Sequence, residues 1–154
     1  MYTFSGDKDV FRPWQAVHQC PKRFLNEHGG HAAYSKFHKK QFFSAVGEKT
    51  TYLMGDTIWT ARVTKTLHSY QPDIMIMNTG YAKALGFNEG IIMGTADVAK
   101  AAEFMPNSKL VAVHMDAINH CTVSRKNMRD FIHMMNLEKQ VYVPNDGETV
   151  NFDK

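Results

Sequence analysis

Two short runs constrain this chain most: Ile74-Met75-Ile76-Met77 and Leu110-Val111-Ala112-Val113. Each is continuously apolar, too short for an ordinary helix, and bounded by turn-forming residues. Unbroken apolar character marks a strand covered on both faces, as in a parallel sheet flanked by helices. The segments around them carry helical spacing. Val63, Leu67 and Tyr70 recur at that period before Pro72 stops the segment. Thr95 is placed to cap a second helix, with Asp97 in its first turn and Val98, Ala101, Ala102 and Met105 on its apolar face. Ser124 is placed to cap a third, in which Met128, Phe131, Ile132 and Met135 form one stripe.

Upstream, Gln41–Val46 and Thr50–Met54 flank Gly47-Glu48-Lys49 and read as a hairpin. Downstream, Val141–Val143 and Thr149–Phe152 flank Asn145-Asp146-Gly147 and predict a terminal hairpin. Strands alternating with helices imply an α/β layered domain with a mixed sheet and flanking helices. The texture changes near Gln41. Residues 1–40 form a divergent N-terminal segment without sustained periodicity, and residues 41–154 carry the regular elements. The Met-rich strand and the Met134-Met135 pair read as core filling.

Composition narrows the class. The 154 residues, 44% hydrophobic and 21% charged, suit one globular domain rather than a disordered chain. No apolar stretch long enough to span a membrane occurs. The first residues lack a secretory signal pattern, and Cys20 and Cys121 are too few for a disulfide framework, so a cytoplasmic setting is expected. A net charge of +3, spread along the chain, does not indicate a nucleic-acid partner.

Ligands of such sheets bind beyond the C-terminal ends of strands. Three places qualify: Asp56, Asn78-Thr79-Gly80, and His114-Met115-Asp116. Asp56 follows Gly55, which allows a sharp turn; its carboxylate could hold divalent cations, or it could cap the next helix, as could Thr57. His114, Asp116, Asn119 and His120 gather coordinating side chains within one loop, and neutral imidazole is the commonest zinc ligand. His28 and His31 flank Gly29-Gly30, a spacing that allows shared metal binding or plain surface histidines. His18 and His38 carry less signal, and His68 and His133 fall inside expected helices. Cys121 reads as a buried small residue. There is no Walker-type phosphate loop, dinucleotide fingerprint or nucleophile elbow.

Three segments then resemble a known family: Thr51-Tyr-Leu-Met-Gly-Asp-Thr-Ile-Trp59, Gln71-Pro-Asp-Ile-Met-Ile-Met-Asn-Thr-Gly80, and Leu110-Val-Ala-Val-His-Met-Asp-Ala-Ile-Asn-His-Cys-Thr-Val-Ser-Arg125. In this order and spacing they are similar to the C-terminal half of metallo-β-lactamase-fold hydrolases, in the branch of uncharacterised bacterial hydrolases. The resemblance implies half of an αββα sandwich and a divalent metal: zinc first, manganese or iron as alternatives, or none if the site stays incomplete. It matches Asp56 to the bridging carboxylate and His114 to the late-strand histidine ligand. His120 is a neighbouring candidate for that role, and His28 corresponds to the loop histidine before the hairpin. The family's His-x-His-x-Asp-His motif is absent from this sequence.

A complete site would hydrolyse a small molecule by metal assistance, with Asp56 orienting the attacking water. The alternative is a non-catalytic half-domain acting through homodimerisation, or through a partner chain supplying the missing half, because a half-sandwich leaves one sheet face to be covered. A nucleotide-binding module using the Asn78–Gly80 loop ranks last.

Overall fold

The computed structural model describes residues 2–4, 10–13, 41–43, 49–84, 86, 88–116 and 119–152. Its main sheet has five strands. At one edge, β3 (Gln41–Phe43) runs antiparallel to β4 (Thr51–Gly55). Next come β5 (Ile74–Asn78), β6 (Lys109–Val113) and β7 (Val141–Tyr142), each parallel to the strand before it. The crossovers run through α1 (Ala61–Tyr70), α2 (Thr95–Phe104) and α3 (Arg125–Met134). The mixed α/β sheet is therefore the one the strand–helix alternation predicts.

Strand side chains alternate between faces, and two cores result. On one face, Met75, Met77, Leu110 and Ala112 pack with Val63 and Leu67 of α1, Val98 and Ala101 of α2, and Met128 and Ile132 of α3. On the other, Ile74, Ile76, Val111 and Val113 pack with Val150 and Phe152. Ile76 and Val111 are fully buried.

The helix ends show which local signals carried. Thr60 caps α1, its Oγ1 accepting from the Val63 N–H at 3.3 Å. Ser124 caps α3 as expected, its Oγ accepting from the Asn127 N–H at 3.1 Å while Asn127 Oδ1 accepts from the Ser124 N–H at 3.2 Å. At α2 the expected cap is displaced. The Asp97 carboxylate reaches back to the Gly94 N–H at 2.9 Å, which makes Gly94 the cap and Thr95 the first helical residue. The α3 stripe also ends early: Met128 and Ile132 are buried, but Met134 and Met135 are 67% and 46% exposed and do not fill the core.

The terminal hairpin does not form. After β7 the chain leaves the main sheet, and β8 (Val150–Asn151) pairs antiparallel with β2 (Val10–Pro13), which in turn pairs with β1 (Tyr2–Phe4). The intervening turn is held otherwise. Glu148 Oε2 accepts from the Asn145 N–H at 2.7 Å, and Arg129 of α3 donates to the Val143 carbonyl at 2.8 Å. Crossing over buries Val150 and Phe152 against the second face, with the Phe152 ring edge-on to Tyr142 at 5.2 Å. Burying these apolar side chains outweighs the local ladder of a two-stranded hairpin, which is marginal in water. No helix among the described residues is long and apolar enough to cross a membrane.

Candidate functional site at the strand ends

The parallel strands β4, β5 and β6 deliver Asp56, Asn78 and His114 to their shared C-terminal end. Gly55 ends β4 at φ +63°, where a glycine carries no Cβ penalty. Asp56 does not cap α1, since Thr60 takes that place, and Thr57 Oγ1 donates to the Ile58 carbonyl instead. The Asp56 carboxylate is thus left to the crevice. Its Oδ1 accepts a hydrogen bond from Asn78 Nδ2 at 2.6 Å. His114 Nε2 lies 3.9 Å from the same oxygen, an ion pair only when the imidazole is protonated. Asp56 is 53% exposed in its side chain and His114 25%.

His114 and Asp116 hold left-handed backbone at φ +63° and +59°. Non-glycine residues pay roughly 1–2 kcal/mol each for that conformation, and it persists where the surroundings over-determine it. Here they do. Thr79 N–H donates to the Val113 carbonyl at 2.9 Å, and the Gly80 carbonyl accepts from Thr122 and Val123 N–H at 2.9 and 3.0 Å. A bridge joins Ala82 to Cys121. A Cβ on Gly80 would stand 2.3 Å from the His114 carbonyl oxygen, so only glycine permits this approach. Asp116 Oδ2 accepts from the Arg125 N–H at 3.1 Å, and the Arg125 guanidinium also pairs with Asp146. These contacts tie the loop after β6 to both the β5 loop and α3. They also occupy the Thr79 amide, while the Tyr81 amide donates to the Met93 carbonyl at 3.0 Å.

Cys121 is less buried than its place in the sequence suggested. It is half-buried, and its Sγ lies 3.9 Å from His114 Nδ1 and 3.7 Å from the His114 carbonyl. Burial, with the negative charges of Asp56 and Asp116 behind it, pushes the thiol above its ordinary value of 9.0. Cys121 is therefore a protonated neighbour of the imidazole at neutral pH rather than a thiolate.

His120 is exposed, and its carbonyl accepts from the Lys83 N–H at 3.0 Å. His28 lies outside the described residues, as do His18, His31, His38 and Cys20. Among the described residues no group of three or more His, Cys, Asp or Glu is arranged to hold a metal ion. Asp56 and His114 still fit a divalent cation in kind: a carboxylate and an imidazole nitrogen face each other, and an amide orients the carboxylate. They fall short in number, because catalytic zinc sites use three protein ligands. Asn78 is the member of this group whose role the sequence left open. Its signal was a lone polar residue closing an otherwise apolar strand.

The fold defines a chain similar to part of the metallo-β-lactamase-fold proteins. The particular relatives agree. The chain is 49% identical to a possible metal-dependent hydrolase from Veillonella parvula, with a TM-score of 0.72 over 73% of this chain and 43% of that one. It is 36% identical to an isothiocyanate hydrolase from Delia radicum gut bacteria, with a TM-score of 0.71 over 75% of this chain and 44% of that one. It is 34% identical over 110 residues to the UPF0173 protein YddR of Bacillus subtilis, covering 71% of this chain and 43% of YddR. The fold alone is shared with the metallo-β-lactamase-fold protein YhfI of Bacillus subtilis, at 13% identity and a TM-score of 0.53. No protein-family model matches the chain. The chain thus spans less than half the length of these three relatives.

Proposed function

We propose that this chain supplies part of the active site of a metal-dependent hydrolase acting on a small molecule. Asp56 and His114 would hold a divalent cation, zinc first, with the remaining ligands coming from outside the described residues. One observation carries the reading: Asp56 Oδ1 and His114 Nε2 face each other at 3.9 Å across the end of β5. Close relatives named as a possible metal-dependent hydrolase and as an isothiocyanate hydrolase support it. An isothiocyanate, with its small electrophilic carbon, is the first substrate to test.

The roles of the chain's own residues follow from geometry. Asn78 holds the Asp56 carboxylate by its amide N–H. His114 presents Nε2 to the crevice, and its Nδ1 faces the Cys121 thiol. Gly80 and Arg125 lock the loop that carries His114. The cation, when bound, supplies Lewis acidity and a nucleophilic water at neutral pH.

The second reading is a non-catalytic half-domain that binds a partner or a second copy of itself. Metal content decides between them. Near-stoichiometric zinc, manganese or iron in protein purified without chelator, lost in Asp56→Ala and in His114→Ala, supports the hydrolase. Metal-free protein with an intact fold supports the binding half-domain, and light scattering then reads its oligomeric state.

A further inference from the structure

We infer that residues 82–91, between β5 and α2, form a strap clasped shut by Tyr81. The strap opens as a unit and admits a small molecule to the Cys121 and His114 side of the strand-end crevice. This goes beyond the hydrolase reading and needs no bound cation. Tyr81 is the clasp. Its hydroxyl donates to Glu89 Oε2 at 2.6 Å. Its ring lies so close to Gly90 and Gly94 that a Cβ on them would stand 2.6 and 2.7 Å from it. Lys83 Nζ sits 5.7 Å from the ring centroid, within the range of a cation–π contact. One aromatic side chain thus gathers both arms of the segment.

Closed, the strap lies along the loop that follows His114. Ala82 bridges Cys121. The Lys83 N–H donates to the His120 carbonyl at 3.0 Å, and Thr122 Oγ1 donates to the Tyr81 carbonyl at 2.9 Å. Next to these contacts, Cys121 Sγ faces His114 Nδ1 at 3.9 Å. Two features hold the closure loosely. Tyr81 sits at φ +47°, a left-handed conformation that a bulky L side chain rarely adopts, and opening relieves that strain. The strap also lies mostly outside the core. Lys83, Gly86, Asn88, Glu89 and Ile91 are exposed, whereas Ile92 and Met93, where the chain rejoins the fold, are buried. Segments of this kind open locally at a small fraction of the free energy of global unfolding. The hydroxyl–carboxylate bond and the ring contacts oppose the backbone strain, and that balance is what a gate requires.

The test is amide hydrogen exchange of the full chain by NMR, with iodoacetamide labelling of Cys121 as a second readout. Tyr81→Phe removes the hydroxyl and keeps the ring; Glu89→Gln replaces the charged acceptor by a neutral one. In both variants the Lys83, Ile91 and Thr122 amides should exchange together, about 3–10-fold faster than in wild type, the range of one hydrogen bond. Cys121 should label faster by a similar factor, while β5 and β6 keep their wild-type protection. Wild-type exchange in Tyr81→Phe would show that the hydroxyl clasps nothing and would overturn the proposal. Faster exchange at Lys83 and Ile91, with Thr122 and Cys121 unchanged, would mean that the strap moves but uncovers nothing, and would overturn it too. So would equal acceleration in β5 and β6, which reports lost stability of the whole fold. None of these readouts involves a metal, so this inference and the hydrolase reading stand or fall separately.

Discussion

Replacing Gly80 by alanine should damage fold and site together. The added Cβ would stand 2.3 Å from the His114 carbonyl oxygen and 2.6 Å from Cys121 Sγ. Favourable carbon contacts begin near 3.5 Å, so one of the groups must yield by about 1 Å. The sulfur belongs to a side chain and can move. The carbonyl cannot move without shifting His114, whose backbone is already held at φ +63°. Overpacking costs about 1–3 kcal/mol, and a backbone obstacle places this change at the upper end, about 3 kcal/mol. For a chain of this size that is a fall in Tm of roughly 6–12 °C. Thermal and urea unfolding followed by circular dichroism would measure it. The double variant Gly80→Ala/Cys121→Ala separates the two contacts: removing the sulfur should recover less than half of the loss, because the carbonyl contact stays. Gly147→Ala is the control, with φ +77° and nothing within 4 Å of its added Cβ, so only the left-handed strain of about 1–2 kcal/mol applies. A Gly80→Ala protein within about 0.5 kcal/mol of wild type, the range of an ordinary surface change, would refute the close-approach argument.

Three further outcomes can be checked. Thr60→Ala and Asp97→Ala each remove a helix N-terminal acceptor and should each lower stability by about 1 kcal/mol in urea unfolding; an unchanged midpoint would show that the cap is solvated at no cost. Cys121 should react slowly with iodoacetamide at pH 7, because burial and then Asp56 and Asp116 hold its thiol above 9.0; peptide mapping by mass spectrometry should show faster labelling in Asp116→Asn, and rapid labelling of wild type would contradict the geometry. Glu138 is held below its ordinary 4.5 first by a backbone hydrogen bond and then by His133. Its depressed folded value means its contribution is present above about pH 4.5 and is lost as pH falls through the lower folded value. Carboxyl NMR titration should show that value returning only part of the way to 4.5 in His133→Ala; a full return would make His133 the larger cause.

Much of the fold was legible because its signals are local. Ile74–Met77 and Leu110–Val113 are apolar on both faces, and the structure buries both faces of each. Ser124 carries its own cap. Where several local answers existed, neighbours chose. Thr95 could cap α2, but the Asp97 carboxylate made Gly94 the cap. Asp56 could cap α1, but Thr60 did so and left the carboxylate for Asn78. The terminal turn read as a hairpin because a hairpin is the local solution, whereas Val150 and Phe152 gain a buried surface only by leaving β7.

By itself the sequence determined the order of strands and helices from β3 to β7, the α/β class, the similarity to metallo-β-lactamase-fold proteins, and the candidacy of Asp56 and His114. These follow from hydrophobic period, capping residues and short segments read one at a time. Only the tertiary structure decided that Asn78 holds Asp56, that Cys121 lies beside His114, and that Gly80 admits the His114 carbonyl. Residues 22, 7 and 34 positions apart meet in these contacts. Their proximity comes from parallel register and from backbone packed too closely for a Cβ, and neither leaves a periodic trace along the chain.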